Sequence, residues 1–555
     1  MLVTAGVYCR DLQYDFILDD VPLILMNETL TSWKNWTTLF VSQIVPTGMD
    51  VVAVHYRPLY MLWLMANQQL FGMVLPWWHL TSLLLHLLAI FLVYKVGVKV
   101  LQEPWTAALA ALLFAFHPIH VESVSYVSAS SDLLATVFML LAFLAYSRFR
   151  EQSAHPFYLA ASMLMAALAM LSKETAAIFP LALVAYEILR EGPPGPQRWG
   201  KRLVWTLPFF GVVAAYAAVR TLLFGRNLGP GPGMDRMVAL WDAPLVLLVY
   251  VRNLLWPVRL SFFYPDEWGT QWTFGKGLAA VLILVAGAFV WRRYRGSPGV
   301  RLQLVWTAIL FVIPVASVSA LRKQDWVHDR HMYLVSVPFC LLAAAILTDL
   351  RLSRKVSIVA SSLLAVSFLV ITAVQVPKFK DELSVYGSAL KVAPHNVLLR
   401  RRYVAALWNS VPNVGEPSER REEALREFVV NTELWPELEL GYENYGAALA
   451  QVGRDEEAAT QYRKALQLDT GGPSHLRASI LYRLAILDVK LSKLEEAERC
   501  LGEAVAIDPK AVGYHALLAQ VLNQEGRGQQ ADEQTKLEAV VKEEFIHQHA
   551  VGKVR

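Results

Sequence analysis

The sequence predicts an all-α protein in which a polytopic helical membrane domain is followed by a helical repeat domain. Of its 555 residues, 55% are hydrophobic and only 18% are charged. Soluble domains, in comparison, carry about a quarter charged residues. Between about 78 and 378 the apolar residues form repeated runs that are long enough to cross a bilayer as helices. From about 380 to the end, the chain is instead rich in Glu, Arg, Lys and Ala, which favours soluble helices.

Residues 1–77 are predicted to form a truncated first span and an outer loop with interfacial helices. Residues 1–8 are apolar but too short to span a bilayer, so they are interpreted as the end of a helix that begins upstream. Several tryptophans in the loop suit the boundary between lipid and water. A short amphipathic helix is expected over 32–43, and a second, more apolar helix over 56–71.

The polytopic transmembrane domain, 78–379, is predicted to contain ten spans, or eleven when the truncated first span is counted. Segment 238–260 is also apolar, but charged residues and prolines interrupt it, and it is predicted to be re-entrant or interfacial. The ten predicted spans are 78–101, 105–124, 130–149, 155–173, 174–190, 202–224, 276–294, 301–321, 329–351 and 355–378.

The loops between these spans alternate between basic loops and loops that carry acidic residues and histidines. Because basic loops face the cytoplasm, the loops at 9–77, 117–132, 173–174 and 322–331 are predicted to lie on the outer side. The last span then leads outward, which places the repeat domain on the outer side as well.

Residues 380–555 contain an internal repeat marked by small residues. Ala424, Ala458, Ala497 and Ala531 follow one another at intervals of 34, 39 and 34 residues. Small residues at such intervals let paired helices approach closely, and the pattern is similar to the tetratricopeptide repeat. Because stacked repeats form a concave surface that binds extended peptides, a protein or peptide partner is predicted. A stabilising cap or a contact between copies of the chain is the alternative.

Asp19 and Asp20 are adjacent carboxylates in an otherwise apolar run of the first outer loop. Placing carboxylates beside apolar residues at a membrane face costs free energy, so such residues are usually retained for a function. One of them could accept the proton of an attacking hydroxyl group as a general base. A divalent metal bound by the pair and a plain solvated loop pair are the alternatives.

His117, His120 and Glu122 lie together at the outer end of a predicted span. This spacing could ligate a metal, but Pro118 breaks the helix that would align the two imidazoles. Polar contacts to a phosphate or a sugar are therefore favoured over a metal site, and closure of the helix end is the structural alternative.

Basic residues on the outer face form a third candidate site. Together they could cradle a lipid phosphate, with each Arg binding bidentately and each Lys acting as a point charge. The chain has no Gly-rich phosphate loop and no CxxC pair, so the sugar or other group donor is expected to be dissolved in the membrane, and no nucleic-acid partner is expected. The outer basic residues are Arg57, Lys173, Arg259, Arg322, Lys323 and Arg330.

Taken in order, these motifs resemble those of the transmembrane and tetratricopeptide repeat-containing O-mannosyltransferases and their bacterial relatives. No single motif is specific, but the ordered set covers nearly the whole chain. The motifs are Leu18-Asp19-Asp20, Tyr56-Arg57-Pro58-Leu59, Trp78-His79 with His86, His117 to Glu122, Ser131-Asp132, Leu171-Ser172-Lys173-Glu174, Leu255-Trp256-Pro257 with Tyr264-Pro265, and Asp329-Arg330-His331-Met332-Tyr333.

The resemblance implies a C-type membrane glycosyltransferase fold and transfer of a sugar, by resemblance mannose, from a polyprenyl-phosphate donor. The acceptors would be Ser and Thr hydroxyls of proteins on the periplasmic or lumenal side. The membrane would be a bacterial inner membrane or, in a eukaryote, that of the endoplasmic reticulum. The acidic base of the family maps onto Asp19, with Asp20 beside it. Contacts to the donor are carried over to Arg57, His117, His120, Glu122, Lys173 and Arg330.

Three other functions are compatible with parts of the pattern. A glycosyltransferase with a lipid or glycan acceptor would have a similar membrane domain. A non-catalytic assembly factor would use the repeats to gather other proteins. A transporter is disfavoured, because the charged residues cluster at one membrane face rather than at the bilayer midplane where transporter sites lie.

Overall fold

The computed structural model describes residues 1–42, 55–151, 155–190, 200, 202–225, 236–265, 272–311, 327–349, 354–411, 419–472 and 474–551. Every regular element within these ranges is helical, which confirms the predicted all-α class. The chain divides into two compact units, Met1–Pro394 and His395–Arg555.

The first unit contains most of the apolar helices. Within the described residues, five stretches are long and apolar enough to cross a membrane, or six if the bent pair α4 and α5 counts as one span. The five are Leu75–Leu101, Val127–Glu151, Val204–Phe224, Phe274–Arg293 and Lys355–Phe379. The α-helices of this unit are α1 (Leu2–Tyr8), α2 (Pro58–Phe71), α3 (Leu75–Leu101), α4 (Pro104–Phe116), α5 (Val121–Ser125), α6 (Ser130–Glu151), α7 (Pro156–Ser172), α8 (Phe179–Leu189), α9 (Leu207–Phe224), α10 (Arg236–Leu255), α11 (Phe274–Arg293), α12 (Pro298–Leu310), α13 (Ser336–Asp349), α14 (Arg354–Gln375) and α15 (Glu382–Leu390).

Four of the predicted spans correspond to shorter helices. Spans 155–173 and 174–190 become α7, with 17 residues, and α8, with 11 residues preceded by the 3₁₀ turn Glu174–Ile178. Spans 301–321 and 329–351 become α12, with 13 residues, and α13, with 14 residues. Part of 301–321 lies outside the described residues. Each of these helices is shorter than the roughly 20 residues that a straight membrane crossing requires.

Two predicted helices are interrupted for local reasons. The span 105–124 bends by 51° between α4 and the segment Pro118–Ser125, because Pro118 cannot continue the hydrogen-bond ladder of α4. The amphipathic helix expected over 32–43 is wrong over its described part, which forms the 3₁₀ turns Trp33–Asn35 and Thr38–Phe40. The Ser32 side chain there accepts a hydrogen bond from the Lys34 N–H, and such local bonds compete with helix formation.

Two other segments of the first unit form continuous helices. The predicted helix over 56–71 is confirmed as α2. Segment 238–260 contains the continuous helix α10 with Pro244 inside it, and its re-entrant or interfacial placement stays a prediction.

Helices α3, α4 and α13 approach closely at Gly97. A Cβ atom at this position would lie 2.9 Å from the Ala107 Cβ and 2.9 Å from the Leu341 Cδ2. Small residues at such crossings allow helix backbones to approach in a membrane protein. The buried core of the first unit therefore depends on a glycine at this crossing.

In the part of the second unit that the structure describes, the α-helices form four pairs that follow one another along the chain. Ala424, Ala458, Ala497 and Ala531 each lie on the second helix of a pair and are fully buried, which confirms the repeat read from the sequence. At Gly446 an added Cβ would lie 3.0 Å from the Tyr462 ring, so the helices of the second pair also need a small residue at their contact. The pairs are α16 (Val397–Asn409) with α17 (Glu419–Leu434), α18 (Glu439–Gln451) with α19 (Asp455–Leu468), α20 (His475–Lys490) with α21 (Leu494–Ile507), and α22 (Tyr514–Gln524) with α23 (Gly528–Val551).

Candidate active site

The adjacent carboxylates Asp19 and Asp20 have opposite environments. Asp20 is fully buried, and its Oδ1 accepts hydrogen bonds from the Ser128 N–H at 2.7 Å and from the Ser128 hydroxyl. Its Oδ2 accepts a third from the Ile17 N–H at 3.1 Å. Asp19 is exposed, and its N–H donates to the Tyr126 hydroxyl at 3.0 Å. Asp19 is therefore the carboxylate that a substrate can reach, whereas Asp20 anchors the loop.

Residues 9–20, called the acidic loop below, form hydrogen bonds with the segment 125–128 at three positions. Besides the contacts to Asp19 and Asp20, the Ser125 hydroxyl donates to Asp11 Oδ2 at 2.8 Å. Between these points Leu18 has a φ of 54°, and its N–H donates to Glu382 Oε1 at 3.1 Å. A residue with a branched side chain rarely adopts this conformation, which persists only where surrounding contacts hold it. The backbone that presents Asp19 is thus fixed from both sides.

Arg330 shares this site with Asp19. Its guanidinium carbon lies 5.6 Å from the centre of the Tyr126 ring and 5.9 Å from that of Phe262. Its guanidinium Nη1 donates to Glu122 Oε1 at 3.1 Å, and its backbone N–H donates to Glu122 Oε2 at 3.3 Å. Burial disfavours the charged guanidinium, but Glu122, Tyr126 and the Asp19 carboxylate outweigh it and raise the pKa of Arg330. Arg330 therefore stays charged.

Two further cations complete one cluster with Arg330. Lys173 is buried, and its Nζ lies 2.5 Å from the Asp132 Oδ2. Arg57 forms a bidentate pair with Glu174, with Nε–Oε2 and Nη2–Oε1 distances of 2.7 Å and 2.5 Å. Burial opposes the charge of Arg57, but Glu174 outweighs it and raises the pKa of Arg57. The charges of Arg57 and Arg330 both act on Lys173, so these three of the six predicted cations are brought together. The predicted cations Arg322 and Lys323 lie outside the described residues.

The structure places His117 and His120 away from any open surface. His117 is fully buried, its Nε2 lies 3.0 Å from the Leu254 carbonyl oxygen, and its Nδ1 accepts a hydrogen bond from the Ile119 N–H at 3.2 Å. His120 is also fully buried, and its Nε2 lies 2.7 Å from the Ser336 hydroxyl. Both imidazoles thus join helix ends to neighbouring segments. Their contact with a donor phosphate stays a prediction.

Several residues of the cluster were not selected as site residues from the sequence. Asp132 and Glu174 were noted only as parts of motifs, yet they hold Lys173 and Arg57. Glu174 directly follows the predicted phosphate-binding residue Lys173 in the sequence, and this position could have indicated that Glu174 pairs with a cation of the site. Tyr126 has no signal of its own, because its role arises from the fold of the acidic loop onto segment 125–128.

Asp329, next to Arg330, was also missed as a site residue. It is buried and accepts hydrogen bonds from the Tyr264 hydroxyl at 2.7 Å and from the Asn253 side-chain amide at 2.8 Å. Burial, followed by the Glu122 charge, raises the pKa of Asp329 to about 7. These bonds tie the turn that carries Arg330 to the end of α10, so Asp329 supports the position of Arg330.

A metal site is not evident from the arrangement of ligand side chains. Among the residues that the structure describes, no group of three or more His, Cys, Asp or Glu side chains is placed to hold a metal ion. Both oxygens of Asp20 already accept hydrogen bonds. The predicted candidates Asp19, Asp20, His117 and His120 therefore form no such group in the described chain.

Comparison with known proteins links each unit to a family. Residues 56–219 match the family described as dolichyl-phosphate-mannose-protein mannosyltransferase, and residues 437–510 match the tetratricopeptide repeat. Protein O-mannosyl-transferase TMTC3 of Mus musculus is 27% identical over 91% of this chain and 59% of its own length. Protein O-mannosyl-transferase TMTC1 of Homo sapiens is 27% identical over 80% of this chain and 56% of its own length. The chain thus spans less than two thirds of the length of these relatives.

Among solved structures, the chain is similar to the apo form of the Archaeoglobus fulgidus oligosaccharyltransferase. The two are 15% identical with a TM-score of 0.38, over 76% of this chain and 59% of the other. The chain is therefore similar, in both of its units, to the TMTC proteins, whose curated members are named protein O-mannosyl-transferases.

Proposed function

We propose that this protein is a membrane glycosyltransferase that transfers a sugar, by its family mannose, from a polyprenyl-phosphate donor to Ser or Thr hydroxyls of proteins. The observation that carries the proposal is the exposed Asp19 carboxylate beside the charged Arg330, with Lys173 and Arg57 in the same cluster. Glycosyl transfer from a phosphate needs a base for the acceptor and cations for the leaving group. The description of the matched family supports a dolichyl-phosphate type of donor.

In the proposed mechanism, Asp19 accepts the proton of the acceptor hydroxyl while the hydroxyl oxygen bonds to the anomeric carbon. The bond between that carbon and the phosphate oxygen breaks, and polyprenyl phosphate leaves with the bonding electron pair. Cations that are already positioned stabilise this developing charge without reorganising at the moment of reaction. No other co-reactant is required, because the energy of the reaction is stored in the donor.

The three cations differ in how they would act on the donor phosphate. The side chains of Arg330 and Arg57 are 18% and 16% exposed, so their guanidinium groups can contact a phosphate directly. The Lys173 side chain is only 5% exposed, so it would act through its charge. Glu122, Asp132 and Glu174 would orient these cations rather than bind the donor.

The remaining predicted site residues receive structural roles in this proposal. Asp20 anchors the acidic loop through its three hydrogen bonds, and Asp19 alone is the base. His117 and His120 fix the helix ends behind the site.

The proposed location follows the distribution of charge along the chain. Asp19 and the three cations would lie on the periplasmic or lumenal side, in a bacterial inner membrane or an endoplasmic reticulum membrane. The basic loops on the other side of the predicted spans support this orientation. The repeat unit would lie on the outer side and hold protein acceptors, because stacked helix pairs form surfaces that bind extended peptides.

The test is transfer of radiolabelled mannose from a polyprenyl phosphate to a Ser/Thr-rich peptide by the purified full chain. Asp19→Asn removes the proton acceptor with little change in size, and it should lower kcat by at least about a hundredfold. Asp15→Asn is the matched control, because Asp15 is an exposed carboxylate of the same loop and should leave kcat unchanged.

Each result bears on the proposal. Loss of transfer in Asp19→Asn alone would support Asp19 as the base. An equal loss in both variants would show that the loop, and not the Asp19 carboxylate, is needed. A folded wild-type protein that transfers no polyprenyl-linked sugar would contradict the proposal and favour the repeat-bearing assembly factor.

A further inference from the structure

Tyr126 contacts both charged groups that the proposed reaction uses. Its hydroxyl accepts a hydrogen bond from the Asp19 N–H at 3.0 Å, and the Asp19 side chain is close enough to act on the pKa of this hydroxyl. Its ring lies under the Arg330 guanidinium, 5.6 Å from centre to carbon. One side chain thus bridges the carboxylate that would receive a proton and the cation that would face the donor phosphate.

The surroundings of Tyr126 fix its position and its protonation state. The side chain is 1% exposed, and its ring packs edge to face on Phe262 at 6.0 Å. Burial, followed by the nearby charges of Asp19 and Asp20, raises the pKa of Tyr126 well above its usual value. The hydroxyl therefore keeps its proton, so it can accept from the backbone of Asp19 and donate to its carboxylate at the same time.

The two contacts of Tyr126 have separate physical consequences. The hydroxyl orients the Asp19 carboxylate, and misplacement of a catalytic group by about 1 Å can cost up to about a hundredfold in rate. The ring stabilises the Arg330 guanidinium through a cation–π contact. The hydroxyl contact therefore affects activation of the acceptor by Asp19, whereas the ring contact affects binding of the donor phosphate by Arg330.

We propose that Tyr126 is a positioning residue that fixes the Asp19 carboxylate relative to the Arg330 guanidinium. The acceptor hydroxyl at Asp19 and the donor phosphate at Arg330 are then held at the distance and orientation that transfer requires. This inference rests on the proposed glycosyl transfer. It goes beyond that proposal because it assigns separate roles in acceptor activation and donor binding to two parts of one side chain.

Three variants separate these roles in the purified full chain. Tyr126→Phe removes the hydroxyl but keeps the ring, and it should lower kcat about tenfold or more with the KM for the donor unchanged. Phe262→Leu removes the second ring that contacts Arg330, and this ring carries no hydroxyl. The variant should raise the donor KM about threefold to tenfold with kcat unchanged. Tyr126→Leu should show both effects.

Tyr146→Phe is the matched control for loss of a buried phenol. Tyr146 is fully buried, and its hydroxyl donates to Glu187 Oε1 at 3.0 Å near the other end of α6. It should lower the melting temperature about as much as Tyr126→Phe while leaving kcat unchanged. A merely structural role of Tyr126 would give the same result for both variants, and that outcome would overturn the inference.

Binding of polyprenyl phosphate without a sugar distinguishes this inference from the proposed function. Measured as a ligand-induced shift of the melting temperature, binding should weaken in Tyr126→Leu and persist in Tyr126→Phe. Equal binding by wild type and Tyr126→Leu would overturn the role of the ring. A wild-type protein that binds polyprenyl phosphate but transfers no sugar would contradict the proposed function and the coupling role, while leaving the ring contact supported.

Discussion

Helix α6 has a buried ion pair near each of its ends, and only one of these ends has the properties of a reaction site. Near its start, Asp132 pairs with Lys173 at 2.5 Å. Near its end, Arg150 pairs with Glu187 through two hydrogen bonds of 2.8 Å and 3.1 Å, and Tyr146 donates a third to the same carboxylate. Both pairs satisfy a charge that would otherwise be costly to bury.

The difference between the two ends lies in what surrounds each pair. The Lys173 pair adjoins two more cations and an exposed carboxylate, Asp19, whose backbone N–H donates to the Tyr126 hydroxyl. At the other end, the Tyr146 hydroxyl and the Arg150 guanidinium converge on Glu187, whose side chain is 1% exposed. A buried ion pair alone therefore indicates stability, whereas an accessible carboxylate beside several paired cations indicates chemistry.

The largest expected effect on stability comes from removing one partner of each ion pair. Replacing the second partner by an apolar residue should then restore most of the lost stability. Lys173→Met leaves the buried Asp132 charge without its partner, and Arg150→Met does the same to Glu187. Each single change should lower the free energy of unfolding by about 3–5 kcal/mol. Adding Asp132→Leu or Glu187→Leu removes the second charge, and most of this stability should return, as measured by thermal melts of the purified protein.

Activity should separate the two repaired pairs. The Arg150→Met/Glu187→Leu variant should regain transfer together with its stability, because its pair has no part in the reaction. The Lys173→Met/Asp132→Leu variant should stay inactive although it is folded. If this second variant also regains transfer, the Lys173 pair is structural and the contrast between the ends disappears.

A smaller effect is expected from exchanging the kind of cation at each end. Arg330→Lys and Arg150→Lys both keep the charge but lose the planar fork of donors that binds phosphates and carboxylates bidentately. Arg330→Lys should lower kcat/KM for the donor by about tenfold to a hundredfold, because the guanidinium would face the phosphate. Arg150→Lys should change the melting temperature but not kcat/KM, and equal losses of kcat/KM would contradict the assignment of Arg330.

The fold could be predicted largely from the sequence, because its signals are local and repeated. Long apolar runs gave α3 and α6, and alanines at near-regular intervals gave the helix pairs of the second unit. The interruptions were harder to predict. The bend between α4 and α5 follows from Pro118, but the short length of α8 depends on the 3₁₀ turn that precedes it.

The site could be predicted only in part, because its pairings join segments that are far apart in sequence. The sequence identified the Asp19-Asp20 pair and the cations Arg57, Lys173 and Arg330. It could not show which carboxylate is exposed, since this depends on Ser128 binding Asp20 and on the unusual backbone of Leu18. It also could not show that His117 and His120 are buried, because a polar residue at a helix end serves packing as well as binding.

The smallest expected effect concerns a buried carboxylate that is bonded to a hydroxyl rather than to a cation. Asp11 is 3% exposed and, within the described chain, is held by the Ser125 hydroxyl at 2.8 Å, in contrast to Glu187 with its arginine. Burial raises the pKa of Asp11 from its ordinary 3.8 to about 8 in the folded protein. The folded state therefore keeps a proton that the unfolded chain releases, so this stabilisation is complete below about pH 4 and is lost as the pH rises through about 8.

Asp11→Asn imitates the protonated carboxyl at every pH and tests this sign. The variant should melt near the wild-type temperature at pH 5 and about 1–3 °C above it at pH 9, since only the wild type must then bury a charge or release Asp11 from Ser125. Asp15→Asn, in the exposed part of the same loop, should shift the melting temperature equally at both pH values. A melting-temperature difference between the wild type and Asp11→Asn that is the same at pH 5 and at pH 9 would show instead that Asp11 is already ionised in the folded protein at pH 5. The loop that carries Asp19 would then hold a further buried negative charge, which would require a cation nearby.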